Sequence, residues 1–95
     1  MLHYIIVKWN AEVSDKLATL ENVKSLYANA TDIEGVRAVD IRENITPRDN
    51  RYDVMIALDI EDDKLTVWDN SELHKKWKAD FGPLIEKKAI FDSRN

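Results

Sequence analysis

The stretch Leu2-His3-Tyr4-Ile5-Ile6-Val7-Lys8-Trp9 decides the fold. It is rich in β-branched and aromatic residues, and nearly every position is apolar, so it reads as a strand. Side chains alternate across a strand, which puts His3, Ile5, Val7 and Trp9 on one face and Leu2, Tyr4 and Ile6 on the other, before Lys8. Tyr52 to Ile60 repeats the pattern. One face carries Tyr52, Val54, Ile56, Leu58 and Ile60; the other carries Met55 and Ala57 between Asp53 and Asp59. An antiparallel sheet with one solvated face alternates cleanly between apolar and polar residues. Here both faces have apolar centres, and both need cover.

The rest of the chain supplies cover for one of them. Ser14 is suited to N-cap a helix running to about Ala30, with Leu17, Leu20, Val23 and Tyr27 at helical spacing. Gly35 breaks the chain, and Val36 to Ile45 reads as a second strand, ending at the turn-prone Thr46-Pro47-Arg48-Asp49-Asn50. Glu61-Asp62-Asp63 is expected to open a short helix holding Leu65 and Trp68, with the acids at its positive end. Ser71 is a fresh N-cap for a helix with Leu73, Trp77 and Phe81 at i, i+4 and i+8, which Gly82-Pro83 ends. Ala89 to Ser93 reads as the last strand. The order is βαββαβ, an α+β ferredoxin-like arrangement with a four-stranded antiparallel sheet and both helices on one face. The helices are expected on the His3 side, which is the more continuously apolar. The second face is expected to meet another copy of the chain, giving a homodimer through the open sheet face.

With 95 residues the chain suits a single domain, 1–95. Fourteen basic against 18 acidic residues give a net charge of −4, which argues against nucleic acid, since phosphate binding needs clustered positive charge. No apolar run approaches a membrane span, and the N-terminus carries no basic stretch or small-residue cleavage site, so a cytoplasmic protein away from membranes is expected. The absence of cysteine excludes disulfides, zinc–thiolate sites and a thiol nucleophile. Asn29-Ala30-Thr31 and Asn44-Ile45-Thr46 match the glycosylation tripeptide and, without a secretory signal, read as chance.

Several short motifs, in order and spacing, resemble the stress-responsive α/β-barrel (Dabb) domain family over essentially the whole chain. Leu2 to Trp9 looks like its first strand. Ile33-Glu34-Gly35-Val36 is similar to the "I-P-G-V" before its second strand, and Asn44-Ile45-Thr46-Pro47 to the "N-I-S-P" after it. Ser71-Glu72-Leu73-His74 sits where the family writes "H-P-x-H", and Phe91-Asp92 matches the closing "F-D". The resemblance implies a dimer whose two sheets close into an α/β barrel. Many members have no established activity, and one is a plant polyketide cyclase that closes a linear polyketide by an aldol-type condensation.

The candidate catalytic residues are His74, His3, Tyr27 and Asp92. His3 and His74 match family histidines, and periodicity aims both toward the sheet–helix interior. An aldol cyclisation needs a base beside a carbonyl and an acid for the forming alkoxide, and imidazole serves either role near neutral pH. Tyr27 supplies a hydroxyl, and Asp92, matching the family's terminal-strand Asp, is placed to orient a histidine. The expected ligand-pocket wall is Ile5, Val7, Trp9, Val54, Ile56, Leu58, Trp68, Trp77, Phe81 and Ile90, suited to a small apolar or aromatic, polyketide-like molecule. Lys88 shares strand parity with Ile90 and Asp92 and is placed to reach the pocket mouth and meet an anionic ligand. No cofactor and no metal are expected, since His3, His74 and Asp92 lack a metal-ligand spacing.

Two departures separate the chain from the cyclase pattern. Trp68 stands where that enzyme has a tyrosine, and an indole donates one hydrogen bond but accepts none. Val54 replaces a pocket histidine. Each candidate also has a purely structural reading: His3 as a core histidine, His74 as one of a solvated run with Lys75, Lys76 and Lys78, and the aromatic residues as plain core. The competing functional readings are a non-catalytic dimerisation or ligand-binding module and a relative of the monooxygenase and haem-degrading group. The latter carries its tryptophan in the third strand, where this chain has none.

Overall fold

The computed structural model describes all residues from Met1 to Asn95. The sheet holds β1 (Leu2–Trp9), β2 (Val36–Glu43), β3 (Val54–Ile60) and β4 (Ile85–Ser93), in the order β2-β3-β1-β4, with every neighbouring pair antiparallel. Three helices, α1 (Lys16–Tyr27), α2 (Leu65–Asp69) and α3 (Glu72–Phe81), complete the βαββαβ order, the second helical segment being split in two.

The strand parity is realised in full. In β1, His3, Ile5, Val7 and Trp9 are buried and the alternate residues are not. In β3, Val54, Ile56, Leu58 and Ile60 are buried. These residues form one core with Leu20, Val23 and Tyr27 of α1, Trp68 of α2, and Trp77 and Phe81 of α3. Aromatic rings dominate it, each contributing roughly 4–6 kcal/mol at the usual coefficient for apolar area removed from water.

The boundaries depart from expectation for physical reasons. Asp15, not Ser14, caps α1, its carboxylate accepting from the Ala18 N–H at 3.0 Å. The helix ends at Tyr27, and a 3₁₀ turn over Ala30–Asp32 carries the chain on toward β2. Leu17 lies in the first turn of α1, beyond the core, and is 65% exposed. Glu61-Asp62-Asp63 do not open α2, whose N-cap is Lys64; Asp62 instead pairs with the N-terminal amine at 2.9 Å. Strand β2 stops at Glu43, where the Asn44 side chain bonds Thr46 N and O in a local turn. Strand β3 begins at Val54, because Asp53 turns its carboxylate onto the Trp9 N–H and Lys16. Strand β4 begins at Ile85, four residues earlier than read, because its charged residues Glu86, Lys87 and Lys88 lie on an exposed edge. Ser71 caps α3 as expected, its hydroxyl accepting from the His74 N–H at 3.1 Å.

The helices cover one sheet face only. Register places Leu2, Tyr4 and Ile6 of β1, Met55 and Ala57 of β3, and Ala89 and Phe91 of β4 together on the other. The Tyr4 and Phe91 rings lie 6.2 Å apart there, and Phe91 is 61% exposed.

Candidate functional site

Strand β1 places His3 opposite Asp92 of β4, so both side chains emerge on the helix side of the sheet. Asp92 Oδ1 lies 2.5 Å from His3 Nδ1. An ionised carboxylate only accepts, so Nδ1 carries the proton in this pair and the lone pair of a neutral ring sits on Nε2. His3 is the one buried polar residue of the molecule, whereas the Asp92 side chain is 42% exposed.

His74 stands in the first turn of α3, half-buried, with its ring centroid 5.1 Å from that of Trp68. Its Nδ1 is buried and has no hydrogen-bond partner in the protein. Burial first, and then the positive charge of Lys78 one turn along α3, hold its pKa below the ordinary imidazole value; His3 and Lys88 push the same way and Asp69 opposes. The His74 ring is therefore neutral near pH 7 and able to take a proton.

Tyr27 is fully buried between Trp68 and Trp77, with ring centroids at 5.9 and 5.7 Å. Its hydroxyl has no partner, and burial pushes its pKa far up, so it stays a neutral phenol. The Nε1 groups of Trp68 and Trp9 are likewise buried without a partner. Buried polar atoms are paired in the great majority of cases. The unpaired Tyr27 hydroxyl, Trp68 N–H and His74 Nδ1 belong to three successive rings in contact, Tyr27 on Trp68 and Trp68 on His74.

Of the expected pocket wall, Ile5, Val7, Trp9, Val54, Ile56, Leu58, Trp68, Trp77 and Phe81 are all buried and pack against one another as core. None of the five main clefts is lined by His3, His74 or Trp68. An enclosed cavity walled by these residues was expected, and the structure shows close packing there instead. Ile90 is the exception: register puts it opposite Ile5 on the helix side, yet it is 50% exposed. It forms an apolar shelf beside His3 and Asp92 rather than an inner wall. Sequence reasoning did not find the pairing of Asp92 with His3 in particular, nor the chain of unpaired polar atoms on Tyr27, Trp68 and His74. The first was within reach of the β1–β4 register; the second has no sequence signal. His3, His74 and Asp92 do not form part of a metal-ligating group, and no helix is long and apolar enough to cross a membrane.

No protein-family model matches the chain, and no curated protein matches it in sequence. Solved structures do match. A dimeric ferredoxin-like protein of unknown function from Bacteroides fragilis superposes with a TM-score of 0.81 at 16% identity, covering 99% of this chain and 94% of that one. A Dabb family protein with a ferredoxin-like fold from Mesorhizobium loti gives 0.65 at 17% identity, covering 99% and 94%. Hydroxynitrile lyase from Passiflora edulis gives 0.74 at 14% identity, covering 95% and 87%. At these identities the likeness shows a shared ferredoxin-like fold, and it agrees with the fold implied by the motif resemblance.

Proposed function

We propose that this chain is a homodimeric α/β-barrel protein that binds a small apolar or aromatic carbonyl compound at the α3–β4 edge and moves a proton on it. His74 acts as the base. His3, held in one tautomer by Asp92, acts as the second acid–base group, and Tyr27 supplies a neutral phenol behind Trp68. The observation that carries this reading is His74 itself: an imidazole kept neutral by burial and by neighbouring lysines, with a buried nitrogen that no protein group satisfies. Two positioned imidazoles suit addition to a carbonyl or its reversal, since addition takes a proton from the carbon nucleophile and delivers one to the carbonyl oxygen, and cleavage takes the proton from the hydroxyl and delivers one to the departing carbon. Aldol-type ring closure, implied by the family resemblance, and cleavage of a hydroxynitrile, the activity named for the Passiflora relative, are both reactions of this class. The dimer rests on the apolar open face and on the dimeric state described for the Bacteroides fragilis protein.

The test is turnover of a linear poly-β-ketone and of an aromatic hydroxynitrile, followed by the absorbance of the ring or aldehyde formed. Wild-type turnover lost in His74→Ala with the circular dichroism spectrum retained supports the assignment; equal turnover by the variant overturns it. A second reading, a dimerisation module without chemistry, draws on the close-packed interior around Trp68 and Trp77. It predicts no turnover with either compound and no change at His74 when they are added.

A further inference from the structure

On the open face, β1 lies between β3 and β4, and register fixes what flanks each of its residues. Tyr4 has Ala57 on the β3 side and Phe91 on the β4 side; Ile6 has Met55 and Ala89; Leu2 has Asp59 and Ser93. The two sides differ in relief. Phe91 is exposed and stands beside the Tyr4 ring, 6.2 Å away. Across Tyr4, the small side chains of Ala57 and Ala38 leave a cleft of about 320 Å³, also lined by Leu2, Tyr4 and Met55. A cavity of about 150 Å³ accommodates a benzene ring, so this cleft has room for a phenylalanine side chain. The Ile6 row reverses the order: the large side chain, Met55, is on β3 and the small one, Ala89, on β4.

A two-fold dimer presents the same face twice, so a ridge on that face has to meet a hollow on the same face. A two-fold axis laid along β1, between facing sheets, exchanges the neighbours of β1 and keeps each row: β4 of one copy comes over β3 of the other. Phe91 then falls on the partner's Ala57, Ala89 on the partner's Met55, and Ser93 on the partner's Asp59. Large meets small, small meets large, and a hydroxyl that can donate meets a carboxylate that can accept. Packed sheets keep their strands within about 30° of one another, so the rows next to the axis stay matched despite the twist. An axis across the strands would instead lay β4 on β4 and cleft on cleft. We infer that the two copies close about an axis along β1, with Phe91 of each seated in the Ala38–Ala57 cleft of the other. This seating rests on the homodimer proposed above and names the surface by which its second copy docks.

The experiment measures dimer dissociation constants by sedimentation for the wild type, Phe91→Ala, Ala57→Phe and the combined Phe91→Ala/Ala57→Phe variant. Phe91 and Ala57 take no part in the helix-side core, so circular dichroism is expected to be unchanged in all of them. Phe91→Ala empties the seat and Ala57→Phe fills it, and each is expected to weaken the dimer at least about tenfold. In the combined variant ridge and hollow trade strands and the axis brings them together again, so its dissociation constant is expected within about threefold of wild type. In a mixed dimer of isotope-labelled and unlabelled wild-type chains, a nuclear Overhauser cross-peak is expected between the Ala57 methyl of one copy and the Phe91 ring of the other. Within one copy these residues are two strand spacings apart, about 10 Å, too far for such a peak. Single variants that dimerise as well as wild type, a well-folded combined variant no tighter than the weaker single one, or absence of the cross-peak overturns the seating and leaves the dimer standing. A monomeric wild type at micromolar concentration overturns both.

Discussion

Asp92 and His3 face each other across the β1–β4 pairing, carboxylate to imidazole at 2.5 Å. One partner is buried and the other is 42% exposed. A charge-assisted hydrogen bond contributes about 1.5–3 kcal/mol when shielded and less when water reaches one partner. Asp92→Asn is therefore expected to cost about 1 kcal/mol in urea unfolding. A double-mutant cycle with His3→Gln should return a coupling of similar size, and simple additivity of the two variants would show that the pair contributes nothing.

The pH dependence of stability carries the signature of His74. Its folded pKa lies below the ordinary value, through burial and then Lys78, so on acidification the unfolded chain takes up this proton first. Stability linked to the group is full above about pH 6.5, the unfolded value, and is lost as pH falls through the lower folded value. His74→Gln is expected to flatten the slope of unfolding free energy between about pH 7 and pH 5 relative to wild type. Parallel pH profiles for the two proteins would place the ring in free solvent.

Period-two alternation made the sheet legible, because a strand with one covered face writes its burial directly into the sequence. His3, Ile5 and Val7 on one side and Tyr4 and Ile6 on the other needed no tertiary information. Ile90 shows where that reasoning stops. Its parity identifies the correct face, but how far the helices extend over an edge strand depends on their packing angle, which leaves no local trace. The same holds for the start of β4, since Ile85, Lys87 and Lys88 are strand residues only because the neighbouring β1 backbone pairs with them. The pairing of Asp92 with His3, in place of His74, depended on a cross-strand register that neither residue announces. The unsatisfied atoms of Tyr27 and Trp68 follow from side-chain packing alone.

Gly35 precedes β2 with φ at +87°, the left-handed region, and a Cβ built there would lie 2.4 Å from Lys64 Cβ. The Gly35 carbonyl also accepts the Glu61 N–H at 2.8 Å, so the backbone cannot easily move aside. Strain and overlap act together, and Gly35→Ala is expected to destabilise by about 2 kcal/mol or more. A melting temperature equal to wild type would show that the loop before α2 gives way without cost.

The proposed dimer closes through the open sheet face. Ile6 lies at its centre, opposite Met55 on one side and Ala89 on the other, with Tyr4 and Phe91 adjacent. Its side chain makes no part of the helix-side core, so a charge placed there leaves the protomer's own packing intact. In a dimer closed through this face, Ile6→Lys puts two ammonium groups near the two-fold axis, where desolvation and like-charge repulsion act together. Sedimentation at micromolar concentration is expected to give a particle of twice 11.0 kDa for the wild type and one of 11.0 kDa for Ile6→Lys, with unchanged circular dichroism. The Lys8 and Lys87 side chains flank the same face, so raising the salt concentration should partly restore the variant dimer by screening the added charge. A wild-type chain that sediments as a monomer would remove the second copy from the proposed architecture and leave Leu2, Tyr4, Ile6 and Phe91 as a face covered by some other partner.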